Sequence, residues 1–157
     1  MNNNYINIYN NLINLTRNKK LYENFSTQDT FSDRIIFFMF HFAFFLKVFK
    51  KNNKKKILQE IYDQIFKYLE LSVREMGYGD VTINKKMKNY LNIFHSILDQ
   101  INNWEEISDS HKNKVLSDFI NIDRNLSNFI DYFDNYIVNL SNNTLNFYIK
   151  GVSRDNF

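Results

Sequence analysis

Apolar residues recur every three to four positions along most of the chain, which is the spacing of amphipathic helices. No segment alternates with the period of two expected of a half-buried strand, and no internal repeat occurs. The pattern predicts helices over about Tyr5–Thr16, Arg34–Phe49, Lys54–Met76, Thr82–Ile101, Asp109–Ile120 and Asp123–Leu140, with a closing turn near Asn143–Ile149. We therefore predict an all-α fold, a single-domain bundle of about five to seven helices. Residues 1–30 supply an N-terminal helix and connection, and residues 31–150 the main helical region.

The ends of the predicted helices are marked by residues other than proline, because the chain contains none. Ser32 and Asp33 are expected to be N-caps of the second helix, and Thr82 of the fourth. Gly77 is expected to end the third helix in a left-handed conformation. The segment Lys50–Lys56 is predicted to be a linker, and a helical turn is predicted near Leu21–Phe25.

The second helix is apolar on every side over Ile35–Leu46, apart from His41. Such a helix either lies in a core or waits for a hydrophobic partner. This run of 12 residues is too short to span a bilayer, which requires about 20 residues. We expect a central core helix, with His41 bonded to a carbonyl or carboxylate, because an unpaired buried polar group costs roughly 1–3 kcal/mol. The alternative is that aromatic residues of this helix, Phe42, Phe45 and Phe49, contact a client protein.

Composition and charge narrow the possible functions. Hydrophobic residues make up 44% of the chain and charged residues 24%, which is typical of a globular domain. The net charge of +3 is too small by itself to indicate a nucleic-acid-binding protein. Six of the ten residues in Lys47–Lys56 are lysine, whereas the segment Asp99–Leu140 is predominantly acidic. The charge pattern therefore predicts a basic end and an acidic end.

Residues capable of catalysis or metal binding are sparse. The chain lacks cysteine, which excludes disulfides, thiolate metal sites and cysteine nucleophiles. His41, His95 and His111 lie far apart in sequence, and His95 with Asp99 makes at most half a metal site. No phosphate-binding glycine motif and no nucleophile elbow is present. We predict a protein that is not an enzyme and uses no cofactor or metal.

Lys85, Lys86 and Lys88 lie near the predicted start of the fourth helix, where cations oppose the helix dipole. This placement favours a nearby anionic group. The candidates are the protein's own acidic half, ribosomal RNA and a layer of membrane headgroups. The alternative is an ordinary solvated helix face near Asp80.

The run Arg74–Lys88 resembles the signature of the ubiquinol–cytochrome c chaperone family. It contains Arg-Glu-Met-Gly-Tyr-Gly-Asp, then a threonine and a lysine-rich helix start. The segment from Asp29 through Arg34 to His41 is similar to the way the family enters its second helix, and Phe94 stands where the family has an aromatic residue. The resemblance covers about Asp29–Phe94, with a departure at His95, where the family commonly continues Tyr-Gly-Arg.

The resemblance implies a non-enzymatic chaperone that binds newly made cytochrome b for assembly of ubiquinol–cytochrome c reductase, respiratory complex III. It also implies a small partner protein and the ribosome as possible partners, with peripheral contact at the inner membrane. The N-terminal residues Met1–Asn10 do not predict a secretory signal, so the expected location is the bacterial cytoplasm, or the matrix side in an organelle. The residues expected to bind a partner or client are Arg34, His41, Phe42, Phe45, Phe49, Arg74, Gly77, Tyr78, Gly79, Asp80, Lys85, Lys86 and Lys88.

Two other functions are compatible with the same residues. A small basic module that binds RNA or the ribosome is the main alternative, and it predicts affinity that falls steeply with salt. A haem-binding protein that uses His41 as a ligand is the second. Neither requires a catalytic residue.

Overall fold

The computed structural model describes residues 4–22, 31–120 and 127–151. These residues form α1 (Ile6–Thr16), α2 (Phe31–Phe49), α3 (Lys55–Arg74), α4 (Asp80–Ile101), α5 (Asp109–Phe119), α6 (Ser127–Ser141) and α7 (Leu145–Lys150). Short 3₁₀ turns cover Lys19–Leu21, Lys50–Asn52 and Trp104–Glu106. The described part of the chain contains no strand, so the predicted all-α fold is confirmed. None of the described helices combines the length and apolarity that a bilayer crossing requires.

Helix α2 is the centre of the bundle, and α1, α4 and α6 pack around it. Phe42 and Phe45 have no exposed surface, and Phe49 is 1% exposed. The prediction of a central core helix is therefore confirmed. The alternative that Phe42, Phe45 and Phe49 contact a client is wrong for this fold, because the protein's own helices already cover these rings.

Aromatic rings join α2 to the helices on two of its sides. Phe40 and Phe44 pack against Phe133 of α6, with ring centroids 5.5 and 5.1 Å apart. Phe42 stacks on Phe94 of α4 at 5.2 Å. Offset and edge-on ring pairs at these distances add to the free energy gained from burial. The aromatic richness of the chain is therefore concentrated where the fold needs volume.

Several helix ends differ from the sequence prediction by one to three residues. Helix α2 begins at Phe31, so Ser32 and Asp33 lie in its first turn instead of capping it. Helix α4 begins at Asp80, after Gly79 as its N-cap, so Thr82 is also inside the first turn. At both helix starts, several residues that are favoured as N-caps follow one another, so N-cap preference alone does not indicate which of them caps the helix.

The connections were predicted with mixed success. The predicted linker Lys50–Lys56 contains the 3₁₀ turn Lys50–Asn52, two connecting residues and the first two residues of α3. Gly77 has φ of +92°, which confirms the left-handed conformation after α3. A 3₁₀ turn occurs at Lys19–Leu21, but most of the predicted turn at Leu21–Phe25, like the predicted start of the last long helix at Asp123, lies outside the described residues.

Helix α1 is joined to the rest of the bundle by polar contacts as well as by apolar burial. The Tyr5 hydroxyl donates to Glu60 Oε2 at 2.8 Å, and the Tyr9 hydroxyl lies 2.7 Å from Ser72 Oγ, both on α3. Asn7 Nδ2 donates to the carbonyl of Ile149 in α7 at 3.0 Å. Leu12 has no exposed surface. These contacts fix the N-terminal helix against both α3 and α7.

Candidate partner-binding surface

The signature run contains the exposed connection between α3 and α4. We call this connection, with the adjoining ends of the two helices, the tip and define it as residues 71–88. The Gly77 amide donates to the carbonyl of Arg74 at 3.0 Å, and its positive φ turns the chain away from α3. Gly79 is extended, and its carbonyl accepts the first backbone bond of α4 from Ile83 at 3.0 Å. Gly77 thus allows the chain to leave α3 sharply, and α4 begins after a five-residue connection, 75–79.

An ion pair closes the tip. Arg74 Nη1 donates to Asp80 Oδ1 at 2.6 Å, which joins the last residue of α3 to the first residue of α4. Arg74 Nη2 also lies 3.7 Å from Glu70 Oε1. The hydrogen bond to Asp80 raises the pKa of Arg74 above its usual value. Arg74, Gly77, Gly79 and Asp80, four of the residues expected to bind a partner, therefore lie close together, and their contacts give the connection its shape.

Exposed apolar side chains are concentrated on the tip. Leu71, Met76, Tyr78 and Val81 are 37%, 48%, 40% and 70% exposed, and they are four of the six large exposed apolar residues that the described ranges contain. Such a concentration is typical of a surface that binds another molecule. Sequence analysis identified Tyr78 alone among them. The exposure of Val81 could have been predicted from the sequence, because Val81 precedes Ile83 and lies outside the apolar stripe of α4.

The lysines of the tip have two different environments. Lys86 is half-buried, and its Nζ lies 4.7 Å from the centre of the Tyr78 ring, a cation–π distance. Lys85 and Lys88 are exposed and form no ion pair with any residue in the described ranges. Within those ranges, the protein's own acidic residues therefore do not pair with these two cations.

His41 belongs to the core and lies apart from the tip. Its Nδ1 is 2.6 Å from the carbonyl of Phe37, and because a carbonyl only accepts, Nδ1 carries the hydrogen. Nε2 is then free to accept from the Tyr132 hydroxyl at 2.7 Å. Complete burial lowers the pKa of His41 to about 4, so the ring is neutral near pH 7. The prediction of a carbonyl-bonded core histidine is confirmed, and a contact between His41 and a partner is not compatible with its burial.

Arg34 and His95, which the sequence analysis also identified, lie outside the tip. Arg34 is exposed near the start of α2, in a groove of about 640 Å³ that Phe31 and Glu75 also line. His95 Nε2 lies 2.9 Å from the Tyr62 hydroxyl. No group of three or more metal-binding side chains occurs in the described part of the chain.

Comparison with known proteins gives a match to one protein family. A family model described as ubiquinol-cytochrome C chaperone matches residues 23–120, which is more than half of the chain. The matched range contains α2 to α5 and the whole tip, whereas α1, α6 and α7 lie outside it. No curated protein and no solved structure gives a significant match.

Proposed function

The chain belongs to the ubiquinol–cytochrome C chaperone family, and from this premise we propose that it binds apolar segments of newly made cytochrome b on its tip. Family membership supports a chaperone role in the assembly of ubiquinol–cytochrome c reductase. The observation that carries the assignment to the tip is the group of exposed apolar side chains there, Leu71, Met76, Tyr78 and Val81. Such a role requires binding and release but no chemical step.

The charges of the tip suit a client that is destined for a membrane. Membrane segments are flanked by polar residues and anionic headgroups, which attract exposed lysines. Lys85 and Lys88 lie one to two turns into α4, beside the apolar group. In this proposal, apolar side chains of the tip contact the client and the lysines face the headgroup layer. The protein then acts at the cytoplasmic face of the inner membrane, or at the matrix side in an organelle.

Affinity purification of the tagged protein from its own cells, followed by mass spectrometry, tests the client. Enrichment of cytochrome b is expected, and it should increase in cells that lack the other reductase subunits because unassembled client accumulates. Recovery of ribosomal proteins or RNA without cytochrome b would instead favour the RNA-binding alternative. A small partner protein of the complex would be identified in the same experiment.

Substitutions at the tip test the surface. Met76→Ser combined with Val81→Ser should reduce recovery of cytochrome b several-fold, because both side chains are exposed and apolar. Val138→Ser is the matched control, since Val138 is 58% exposed but lies on α6, outside the matched range. Equal recovery with both variants would contradict the assignment to the tip.

Replacing Lys85, Lys86 and Lys88 together with glutamate tests the charged part of the same surface. We expect weaker reductase assembly with little change in the melting temperature, because none of the three lysines forms an ion pair within the described ranges. A large fall in the melting temperature would show that these lysines support the fold instead.

A further inference from the structure

A cleft of about 780 Å³ opens at the end of α3 that is remote from the tip. Helix α3 has 20 residues, so the two ends lie about 30 Å apart at 1.5 Å per residue. The cleft lies between the end of α2, the start of α3 and the last turns of α4. Its volume is within the range of sites that bind small molecules or short peptides.

The lining of the cleft combines apolar and cationic groups. Leu58 is buried and Leu46 and Leu98 are half-buried, whereas Lys50 and Lys55 are exposed. The leucines therefore form the deeper part of the lining and the lysines its outer part. A ligand that fits both must carry apolar groups and negative charges side by side.

The cationic part of the lining is not neutralised by its surroundings. Lys50 and Lys55 form no ion pair with residues in the described ranges. Helix α3 begins here with no acidic residue in its first turn and no side-chain cap, so its dipole adds to the positive potential. Asp99 also lines the cleft and is the acidic group in the lining.

A carboxylate from elsewhere in the chain already binds beside this cleft. Lys47, which also lines it, donates to Glu105 Oε2 at 2.6 Å. Burial acts to raise the pKa of Glu105, but the hydrogen bond from Lys47 and the charge of Lys51 lower it overall. The contact shows that the lysines at this end stabilise a carboxylate held against them.

We propose that the cleft binds a short segment of another protein in which acidic and apolar side chains alternate. Its carboxylates contact Lys50 and Lys55, and its apolar side chains contact Leu46, Leu58 and Leu98. An RNA strand fits less well, because Asp99 repels phosphates and the two rings in the lining, Tyr62 and His95, already contact each other. A flat membrane surface does not reach recessed leucines. The proposal is independent of the client assigned to the tip.

Fluorescence anisotropy with the full chain and a labelled synthetic peptide of alternating glutamate and leucine tests this site. Lys50→Glu with Lys55→Glu should weaken binding roughly tenfold, because it reverses both contacts with the carboxylates. Lys54→Glu with Lys56→Glu is the matched control, since these exposed lysines flank Lys55 without lining the cleft. The control should change affinity by less than about twofold. Equal losses would overturn the proposal by showing general charge attraction.

Further measurements test the apolar contacts of the cleft and distinguish the peptide from other ligands. Leu98→Ser should also weaken peptide binding, and a circular dichroism spectrum equal to that of the parent protein would show that the variant folds. No peptide binding at about 1 mM would overturn the proposal. Tighter binding of a uridine oligonucleotide, of phosphatidylglycerol vesicles or of a second copy of the chain, lost in the Lys50 and Lys55 variant, would also overturn it.

Discussion

The ionisation of His41 links the stability of the protein to pH. Its pKa is lowered from 6.5 to about 4 in the folded state by burial. Between these values the unfolded chain binds more protons, so the free energy of unfolding decreases as pH falls from 6.5 towards 4. From pH 7 to pH 5 the loss due to this residue should be roughly 2 kcal/mol, measurable by urea denaturation at the two pH values.

A His41→Gln variant provides the comparison. Glutamine does not titrate, so the dependence on pH between 7 and 5 should be smaller by the same amount, although the variant starts from a lower stability. An unchanged dependence on pH would show that other groups cause it. A Tyr132→Phe variant lacks the hydroxyl that donates to His41 Nε2, but His41 can still titrate in it.

Gly77 is needed for its backbone conformation and not for space. An added Cβ would meet no atom within 4 Å, but φ is +92°, where side chains are strained. Gly77→Ala should therefore destabilise the protein by about 1 kcal/mol. Gly79→Ala is the control, since Gly79 is extended and also has open space around it. Thermal unfolding should show a clearly smaller change for Gly79→Ala, and equal changes would contradict this explanation.

At the scale of the element, α1 should be part of the same cooperative unit although the family match begins after it. Leu12 has no exposed surface, so Leu12→Ala should lower the free energy of unfolding by roughly 2–5 kcal/mol. Asn10→Ala, at an exposed position of the same helix, should have little effect. Denaturant unfolding followed by circular dichroism and by Trp104 fluorescence should give coincident transitions. A separate early transition would show that α1 detaches on its own.

The sequence pattern predicted the helices and the buried position of α2 better than it predicted which side chains form the outer surface. Apolar spacing placed α2 in the core, because a helix without a polar face has few other stable positions. The same spacing extended the third predicted helix to Met76, but α3 ends at Arg74, so Met76 lies beyond the helix and is exposed. The lysines of Lys50–Lys56 were predicted to lie in a linker, because nothing local indicates that the last turns of α4 complete a cleft beside them.

At the scale of the whole molecule, the tip and the cleft lie at opposite ends of α3. Because about 30 Å separates them, substitutions at one end should act independently of those at the other. Each set of variants is therefore a control for the other surface. The predicted basic end corresponds to the cleft, where the lysines of Lys47–Lys56 meet Glu105 of the acidic segment at its edge.

The packing of α2 against α6 sets a condition on synthesis of the protein. The bond between His41 and Tyr132 spans 91 positions of the chain, so α2 leaves the ribosome long before the helix that covers one of its sides exists. During that interval the side of α2 that carries Phe40 and Phe44 lacks its cover from α6, and contacts between distant residues form slowly. The growing chain is therefore most prone to aggregation before its C-terminal helices are translated, and truncation ahead of α6 should leave an insoluble product.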